Sequence, residues 1–275
     1  EAARFDFDNL GLDYNTLNYA GALYWRVASR WEGVVSADRR QFRDVTTNLG
    51  GIVNRRTERN EVAEANYRLG ASLRLIAGVL NSQVDNTTIN AWDGSPQVTS
   101  VRVGAGYESA TGSSLVARYR DGDGEYRNTA AGSDFKERET ELLARWVVSP
   151  KTSVNGRIGR LEREHTGAAA TRDFSGTVGG INASWDATAK TRLVVGWQRD
   201  LGAYLLGTGG YQRSERFYVA PVWRITTQTA LSARYERDRR TWQNVTGNAV
   251  DAGRADTFNV LALGVDWQPR RSVGV

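Results

Sequence analysis

The feature that most constrains the fold of this chain is a hairpin unit that recurs about every 40 residues. Each unit has a stretch in which small or apolar residues alternate with polar ones, an aromatic residue in phase with the apolar positions, a short polar turn and a second alternating stretch. In residues 141–153, for example, Leu142, Ala144 and Trp146 share one face of an extended strand, because side chains alternate across a strand. Seven antiparallel hairpins are therefore predicted, each with its aromatic residue at the same end.

The seven aromatic residues are predicted to form one girdle at a membrane interface, since Trp and Tyr concentrate at the headgroup level of membrane barrels. They are separated by 42, 40, 39, 39, 38 and 44 residues along the chain. The girdle residues are Trp25, Tyr67, Tyr107, Trp146, Trp185, Trp223 and Trp267.

Two classes of loop alternate strictly along the chain. One end of the hairpins has tight turns such as Ser149-Pro150-Lys151, and the other has long loops rich in Gly, Asn, Asp and Thr, such as residues 244–256. Strands of about 10–13 residues are expected, longer than the usual ~5–6, and they suit a tilted crossing of a ~25 Å apolar band. The predicted fold is all-β: a transmembrane antiparallel up-and-down β-barrel of about 14 or more strands, counting a strand after the turn Pro269-Arg270-Arg271.

Residues 1–275 are interpreted as a single outer-membrane β-barrel domain, and as a portion of a longer protein. Soluble all-β alternatives fit the pattern less well. A propeller blade needs four short strands per unit, whereas each unit here offers two long ones. A solenoid or sandwich needs a dry shared core, whereas one face of every strand here is charged. In hydrocarbon every backbone polar group must be paired, so the sheet is expected to close on itself.

The polar positions of the alternation are predicted to line the lumen and the path of a solute. Charged rings that line a pore set its selectivity, and guanidinium groups pair with carboxylates and other anionic groups. An alternative is that Arg–Glu pairs only brace the barrel wall. The predicted lumen residues are Arg26, Arg68, Arg102, Arg118, Arg120, Glu141, Arg145, Asn182, Gln198, Arg216, Arg224, Arg234 and Glu236.

Three local irregularities are expected. Pro221 lies within a strand and lacks a ladder donor, so pairing should be interrupted there. The alternation in residues 154–164 is imperfect, which predicts a bulge near Gly159. The acidic stretch 121–125 is expected to be a loop at a strand end.

Composition argues against several classes of function. The chain has no cysteine and a single histidine, His165, which is predicted to be a solvated loop residue. No catalytic triad, phosphate-binding loop or dinucleotide fingerprint is recognisable, so we predict no enzyme activity, no cofactor and no metal site. With 36 basic and 31 acidic residues the charge is dense but nearly balanced, which differs from the one-sided basic surface of a nucleic-acid binder.

The repeated pattern of a Trp, a turn, a Thr or Ser and a Leu covers most of the chain, as in residues 146–154, 185–193 and 223–231. Together with residues 7–14 and the arginine-rich return strands at 118–120 and 234–237, it resembles the EpsL-type outer-membrane proteins of exosortase-associated exopolysaccharide operons. That resemblance implies a barrel in the outer membrane of a Gram-negative bacterium that carries a newly made polysaccharide out of the cell.

The function expected from this resemblance is a channel that passes a secreted exopolysaccharide through an Arg-rich lumen. The expected partners are outer-membrane lipid, a polysaccharide or other polar solute, and periplasmic export components. Two other functions stay open at this point: a general or anion-selective diffusion porin, and a structural or adhesive barrel with a plugged lumen.

Overall fold

The computed structural model describes residues 2–5, 14–44, 54–87, 95–127, 134–166, 172–203, 210–245 and 253–268. This part of the chain forms fifteen β-strands, and no helix in it is long and apolar enough to cross a membrane. The strands are β1 (Ala2–Phe5), β2 (Tyr14–Leu17), β3 (Tyr19–Val27), β4 (Trp31–Asp44), β5 (Asn54–Arg68), β6 (Leu73–Asn86), β7 (Pro96–Glu108), β8 (Ser114–Tyr126), β9 (Asp134–Ser149), β10 (Thr152–His165), β11 (Phe174–Asp186), β12 (Thr191–Ala203), β13 (Tyr211–Arg224), β14 (Thr229–Gln243) and β15 (Ala255–Trp267).

Strands β3 to β15 form one antiparallel sheet in which each strand pairs with its neighbours in the chain. This confirms the predicted all-β, up-and-down architecture. A separate two-stranded sheet joins β1 to β2. Within the described residues β3 and β15 are the two edges of the thirteen-stranded sheet and do not pair with each other. The predicted turn at 269–271 and the strand after it lie outside the described residues.

The strands are longer than the sequence predicted. Strands β4 to β15 contain 13 to 16 residues. The polar sequence of residues 43–60 predicts a long loop, but residues 43–44 end β4 and residues 54–60 begin β5. The acidic stretch 121–125 likewise belongs to β8. The prediction was wrong there because these strands continue beyond the apolar band, where both faces are polar and the alternation of hydrophobicity disappears. The tight turns between strands lie where they were predicted.

The register gives the sheet two distinct faces. Trp146 of β9 lies opposite Val154 of β10, and Trp185 of β11 lies opposite Thr152 on the same face. All seven repeated aromatic residues lie on this face, at the short-turn end of the sheet, and we call it the aromatic face. We call the opposite side of the sheet the polar face. Large apolar side chains of the aromatic face are exposed in this chain, for example Leu263 at 78% and Leu261 at 69%.

The buried apolar cluster of the described residues lies elsewhere. It contains Val98, Tyr126, Phe135, Leu161, Phe174, Val178 and Ala203, toward the long-loop end of the sheet. A soluble sandwich would bury its continuous apolar face, and monomeric soluble proteins rarely expose apolar patches beyond a few hundred Å². The arrangement therefore suits a sheet whose apolar side meets lipid.

Two of the predicted irregularities can be compared with the register. Pairing between β13 and β14 is interrupted between Val219 and Val222, which confirms the expectation for Pro221. The bulge predicted near Gly159 lies instead at the start of β10, between Thr152 and Ser153. Gly159 pairs in register with Glu141, and a Cβ there would lie 2.8 Å from the Thr140 carbonyl oxygen and 3.0 Å from the Glu141 Cβ. The glycine therefore provides space beside the Glu141 side chain and does not mark a bulge.

Candidate functional site

The polar face is the candidate functional surface, and the register places all thirteen predicted lumen residues on it. Arg102 lies opposite Arg120, Arg118 opposite Glu141, and Gln198 opposite Arg216. The sheet therefore gathers onto one surface side chains that are more than a hundred residues apart in sequence. That these residues line a water-filled lumen remains a prediction.

The densest part of this surface is an acid–arginine lattice on β8, β9 and β10. Glu137, Glu139 and Glu141 occupy alternate positions of β9, so all three carboxylates project from the polar face. Arg118 and Arg120 approach from β8, and Arg157 and Arg163 from β10. The acid–arginine lattice consists of Arg118, Arg120, Glu137, Glu139, Glu141, Arg157 and Arg163.

Each carboxylate of the lattice accepts hydrogen bonds from two arginines. Glu141 accepts from Arg118 Nη2 at 2.7 Å and from Arg157 Nε at 2.7 Å. Glu139 accepts from Arg120 Nη2 at 2.7 Å and also from Arg157. Shared arginines link neighbouring carboxylates, which otherwise would repel one another along the strand.

The lattice continues to the long-loop end. Glu137 accepts from Arg120 at 2.7 Å and from Arg163 Nε at 3.0 Å. Glu137 and Glu139 are each only 5% exposed. Isolated charges at such depth would cost several kcal/mol each, so the pairing is what permits their burial.

An aromatic cap, defined as Tyr126, Phe135, His165 and Phe174, lies next to the lattice. Arg163 donates to the Tyr126 hydroxyl at 3.1 Å and stacks over the Phe135 ring, with its Cζ 4.2 Å from the centroid. The Tyr126 hydroxyl and His165 Nε2 are 2.8 Å apart, and His165 Nδ1 lies 3.2 Å from Asp173 Oδ1. Polar contacts thus run without a break from Arg118 to Asp173.

The position of His165 corrects a sequence-based prediction. We expected a solvated loop residue, but His165 ends β10 and is 6% exposed. It is buried because the register brings it opposite Phe135 and beside the Tyr126 ring, contacts between distant strands that a local pattern does not reveal. Gly124 completes this packing, since a Cβ there would lie 2.3 Å from the Phe135 ring.

A cavity of about 390 Å³ opens beside the lattice. Its wall combines lattice residues and Arg102 with the smaller side chains of Leu80, Ser82 and Val84. Arg102 itself pairs with Glu64 at 2.6 Å. The cavity has the volume of a small-molecule site and is lined by hydrogen-bonding groups whose charges are already paired.

The flanking strands continue the polar face with a more open arrangement. On β3–β5, Glu32 accepts from Arg26 at 3.0 Å and from Arg68 at 2.9 Å. Tyr24 on the same face is 79% exposed. Aromatic rings and paired charges therefore lie side by side at this edge.

The sector of β12–β14 is similar. Glu236 forms an ion pair with Arg216, whose Nε lies 3.1 Å from the carboxylate, and accepts a hydrogen bond from Arg234 at 2.9 Å. The Arg234 guanidinium lies 4.3 Å from the centroid of the Tyr218 ring. Gln198 donates to Asp200 at 2.6 Å. The planar groups of this sector offer stacking surfaces and hydrogen bonds together.

Two predicted lumen arginines, Arg145 and Arg224, make no ion pair within the described residues, and both are exposed near the short turns. Asn182 accepts a hydrogen bond from Asn155 at 3.1 Å. Most arginines of the polar face, in contrast, are neutralised by acids of the same face.

Sequence reasoning missed many of those acids and some of their partners. The alternation that placed Glu141 on the polar face continues back through Glu139 and Glu137, and extending it would have found them. The residues missed are Glu32, Glu137, Glu139, Arg157, Arg163 and Asp238.

The described residues contain no group of three or more His, Cys, Asp or Glu arranged to hold a metal ion.

On the aromatic face, the predicted girdle has the geometry of a single row. Trp146, Trp185, Trp223 and Trp267 lie at one end of the sheet, and each is 50–61% exposed. Trp25 is more covered, because it lies against Gly33. The role of this row at a membrane interface stays a prediction.

Comparison with known proteins was made by sequence and by structure. No family model matches the chain, and no curated protein matches its sequence. Solved structures do match. The FrpB iron transporter from Neisseria meningitidis superimposes with a TM-score of 0.56 at 11% identity, covering 93% of this chain and 51% of that one. The chain has the fold of an outer-membrane β-barrel.

Two further matches support the assignment of this fold. The alcaligin outer-membrane receptor FauA from Bordetella pertussis gives a TM-score of 0.51 at 10% identity, covering 96% of this chain and 52% of the receptor. The siderophore receptor PirA from Pseudomonas aeruginosa gives 0.50 at 14% identity, covering 98% and 54%. This barrel chain spans about half the length of the solved structures it matches, and the similarity concerns the fold alone.

Proposed function

We propose that this chain forms part of an outer-membrane transport channel, and that the channel passes a secreted exopolysaccharide out of a Gram-negative cell. The observation that carries the proposal is the polar face. It combines hydrogen-bonding groups whose charges are already paired with accessible aromatic rings, on the side of the sheet opposite the exposed apolar face.

This combination suits a sugar polymer. Hydroxyl groups form hydrogen bonds with the edges of guanidinium and carboxylate groups, and the flat faces of sugar rings pack on aromatic rings. Tyr24 and Tyr218, together with Arg234, offer both kinds of contact. A polymer must also leave each contact easily, and paired charges hold an uncharged chain more weakly than free charges hold an anion. The sequence resemblance to EpsL-type proteins points to the same substrate class.

A second candidate, an anion-selective diffusion porin, is favoured by Arg145 and Arg224, the two exposed polar-face arginines without an ion pair in the described residues. In that case the arginines would attract small anions, and a polymer would have no particular effect. The two functions differ in what blocks the current.

The test uses the full-length protein in planar lipid bilayers, with exopolysaccharide purified from the producing strain added to one side. We expect transient current blockades, and we expect Tyr218→Ala to shorten their duration about 2- to 10-fold, since an aromatic stacking contact contributes ~0.5–1.5 kcal/mol. The matched control is Tyr235→Ala, because Tyr235 lies on the aromatic face of the adjacent strand.

Other results would contradict the proposal. A steady current that the polysaccharide does not block would indicate the diffusion porin, and no current at all would indicate a structural barrel with a closed interior. If Tyr218→Ala and Tyr235→Ala changed the duration of the blockades equally, the polar face would not be the surface that contacts the polymer.

A further inference from the structure

The aromatic face carries a second row of aromatic side chains, at the long-loop edge of its apolar band. Trp197 of β12 lies opposite Phe217 of β13, and Tyr235 of β14 lies on the same face. Their exposed fractions are 38%, 41% and 41%. Outer-membrane barrels have aromatic girdles at both interfaces, and this row has the position expected for the second one.

Arginines lie immediately beyond this row on the same face. Arg237 is opposite Phe217, and Arg239 follows two residues later, opposite Glu215. Arg213 of β13 lies two residues beyond Glu215. We define Arg213, Arg237 and Arg239 as the arginine patch, which the register places just beyond this aromatic row on the same face.

The charges of the arginine patch are not balanced by ion pairs among the described residues. Glu215, the acid beside it, is engaged by Arg199 at 2.6 Å. No described acid forms an ion pair with Arg213, Arg237 or Arg239, and the buried Nε of Arg213 has no hydrogen-bond partner. Arg237 and Arg239 are exposed.

Three arginines of the corresponding row on β5–β10, Arg59, Arg138 and Arg160, differ because they pair with acids of the same face. These pairs are Arg59–Asp85 at 3.5 Å, Arg138–Asp121 at 3.4 Å, Arg138–Glu164 at 3.5 Å and Arg160–Glu162 at 2.7 Å. The β8–β10 part of the rim therefore lacks the excess of positive charge that the arginine patch carries on β13–β14.

The spacing of the patch fits phosphate groups. Residues two apart on a strand, and diagonal neighbours across an antiparallel pair, lie ~7–8 Å apart on one face. Arg237 and Arg239 are two residues apart on β14, and Arg213 is the diagonal neighbour of Arg239 across the β13–β14 pair. Three guanidinium groups at this spacing can each direct a planar pair of donors to one or two phosphates.

We propose that the arginine patch binds the phosphates of a phosphorylated lipid in the adjoining leaflet. The acyl chains of that lipid would pack on the apolar band below, beside Phe217 and Tyr235, while the guanidinium groups hold its headgroup. The site is on the lipid-facing side, so it is independent of what the channel transports.

The test uses the full-length protein in detergent and measures binding of bisphosphorylated lipid A. The patch variant carries Arg213→Gln, Arg237→Gln and Arg239→Gln. We expect it to bind about tenfold or more weakly than the unmodified protein, because each Arg near an anionic surface contributes measurably to attraction. Dephosphorylated lipid A is expected to bind both proteins equally weakly.

The matched control carries Arg59→Gln, Arg138→Gln and Arg160→Gln, which are arginines of the same face whose charges are paired. It should retain binding within about twofold, since exposed ion pairs contribute little. Equal losses in the two variants, or unchanged binding in the patch variant, would overturn the proposal. So would binding of dephosphorylated lipid A to the unmodified protein that is as strong as binding of the bisphosphorylated lipid. The proposal would also be overturned if inorganic phosphate saturated the arginine patch at the same concentration as lipid A does.

Discussion

Replacing Glu139 with alanine is expected to destabilise the protein by about 3–5 kcal/mol, the usual cost of removing one partner from a buried ion pair. Glu139 joins Arg120 to Arg157 and is 5% exposed. Without it, both guanidinium groups lose a carboxylate, and the repulsion between them is no longer offset. Urea titration of the full-length protein in lipid vesicles, followed by heat-modified mobility in gels, measures the change.

The control for this experiment is Glu162→Ala on β10. Glu162 also pairs with an arginine, Arg160, but the pair lies on the aromatic face and both side chains are exposed, at 39% and 65%. Exposed pairs contribute about 0–1 kcal/mol. If the two variants lost stability equally, the buried lattice would stabilise the sheet no more than an exposed ion pair does, which would contradict this prediction.

Introducing arginine at Leu142 is expected to impair membrane insertion strongly, whereas arginine at Leu143 is tolerated. The two leucines are adjacent in β9, but Leu142 lies on the aromatic face with Ala144, and Leu143 lies on the polar face between Glu141 and Arg145. An arginine on the lipid side of a barrel costs ~2–4 kcal/mol at the bilayer midplane. The same side chain on the polar face finds a carboxylate two residues away.

Leu142→Arg and Leu143→Arg are compared by measuring the fraction of each variant that is recovered folded in lipid vesicles. Because both variants add the same charge to the same strand, effects of net charge and of strand propensity cancel. Greater damage from Leu143→Arg than from Leu142→Arg would reverse the assignment of the two faces.

The sequence was sufficient to predict the fold because the alternation and the repeated aromatics are local features. Leu142, Ala144 and Trp146 reveal their shared face without knowledge of any other strand. The positions of the tight turns follow in the same way, since Gly, Pro, Ser and Thr residues mark them directly.

What could not be predicted depends on pairing between strands. Arg157 and Glu139 meet only because the register of β9 with β10 brings their side chains together. The burial of His165 depends on Tyr126, which lies 39 residues away. Strand ends were also misjudged, because beyond the apolar band a strand such as β5 has charged residues on both faces and resembles a loop.

The central claim is that the aromatic face of the sheet meets lipid and the polar face meets water. Residues 1–275 contain no cysteine, so a single introduced cysteine is the only thiol of this part of the protein, and any cysteine elsewhere in the full-length protein is replaced by serine. The most direct test is labelling of the variants L142C, L143C, A144C and R145C in the full-length protein, embedded in membranes, with a water-soluble maleimide. The account predicts labelling at 143 and 145 and protection at 142 and 144. Labelling at 142 and 144 with protection at 143 and 145, or equal labelling at all four positions, would contradict it.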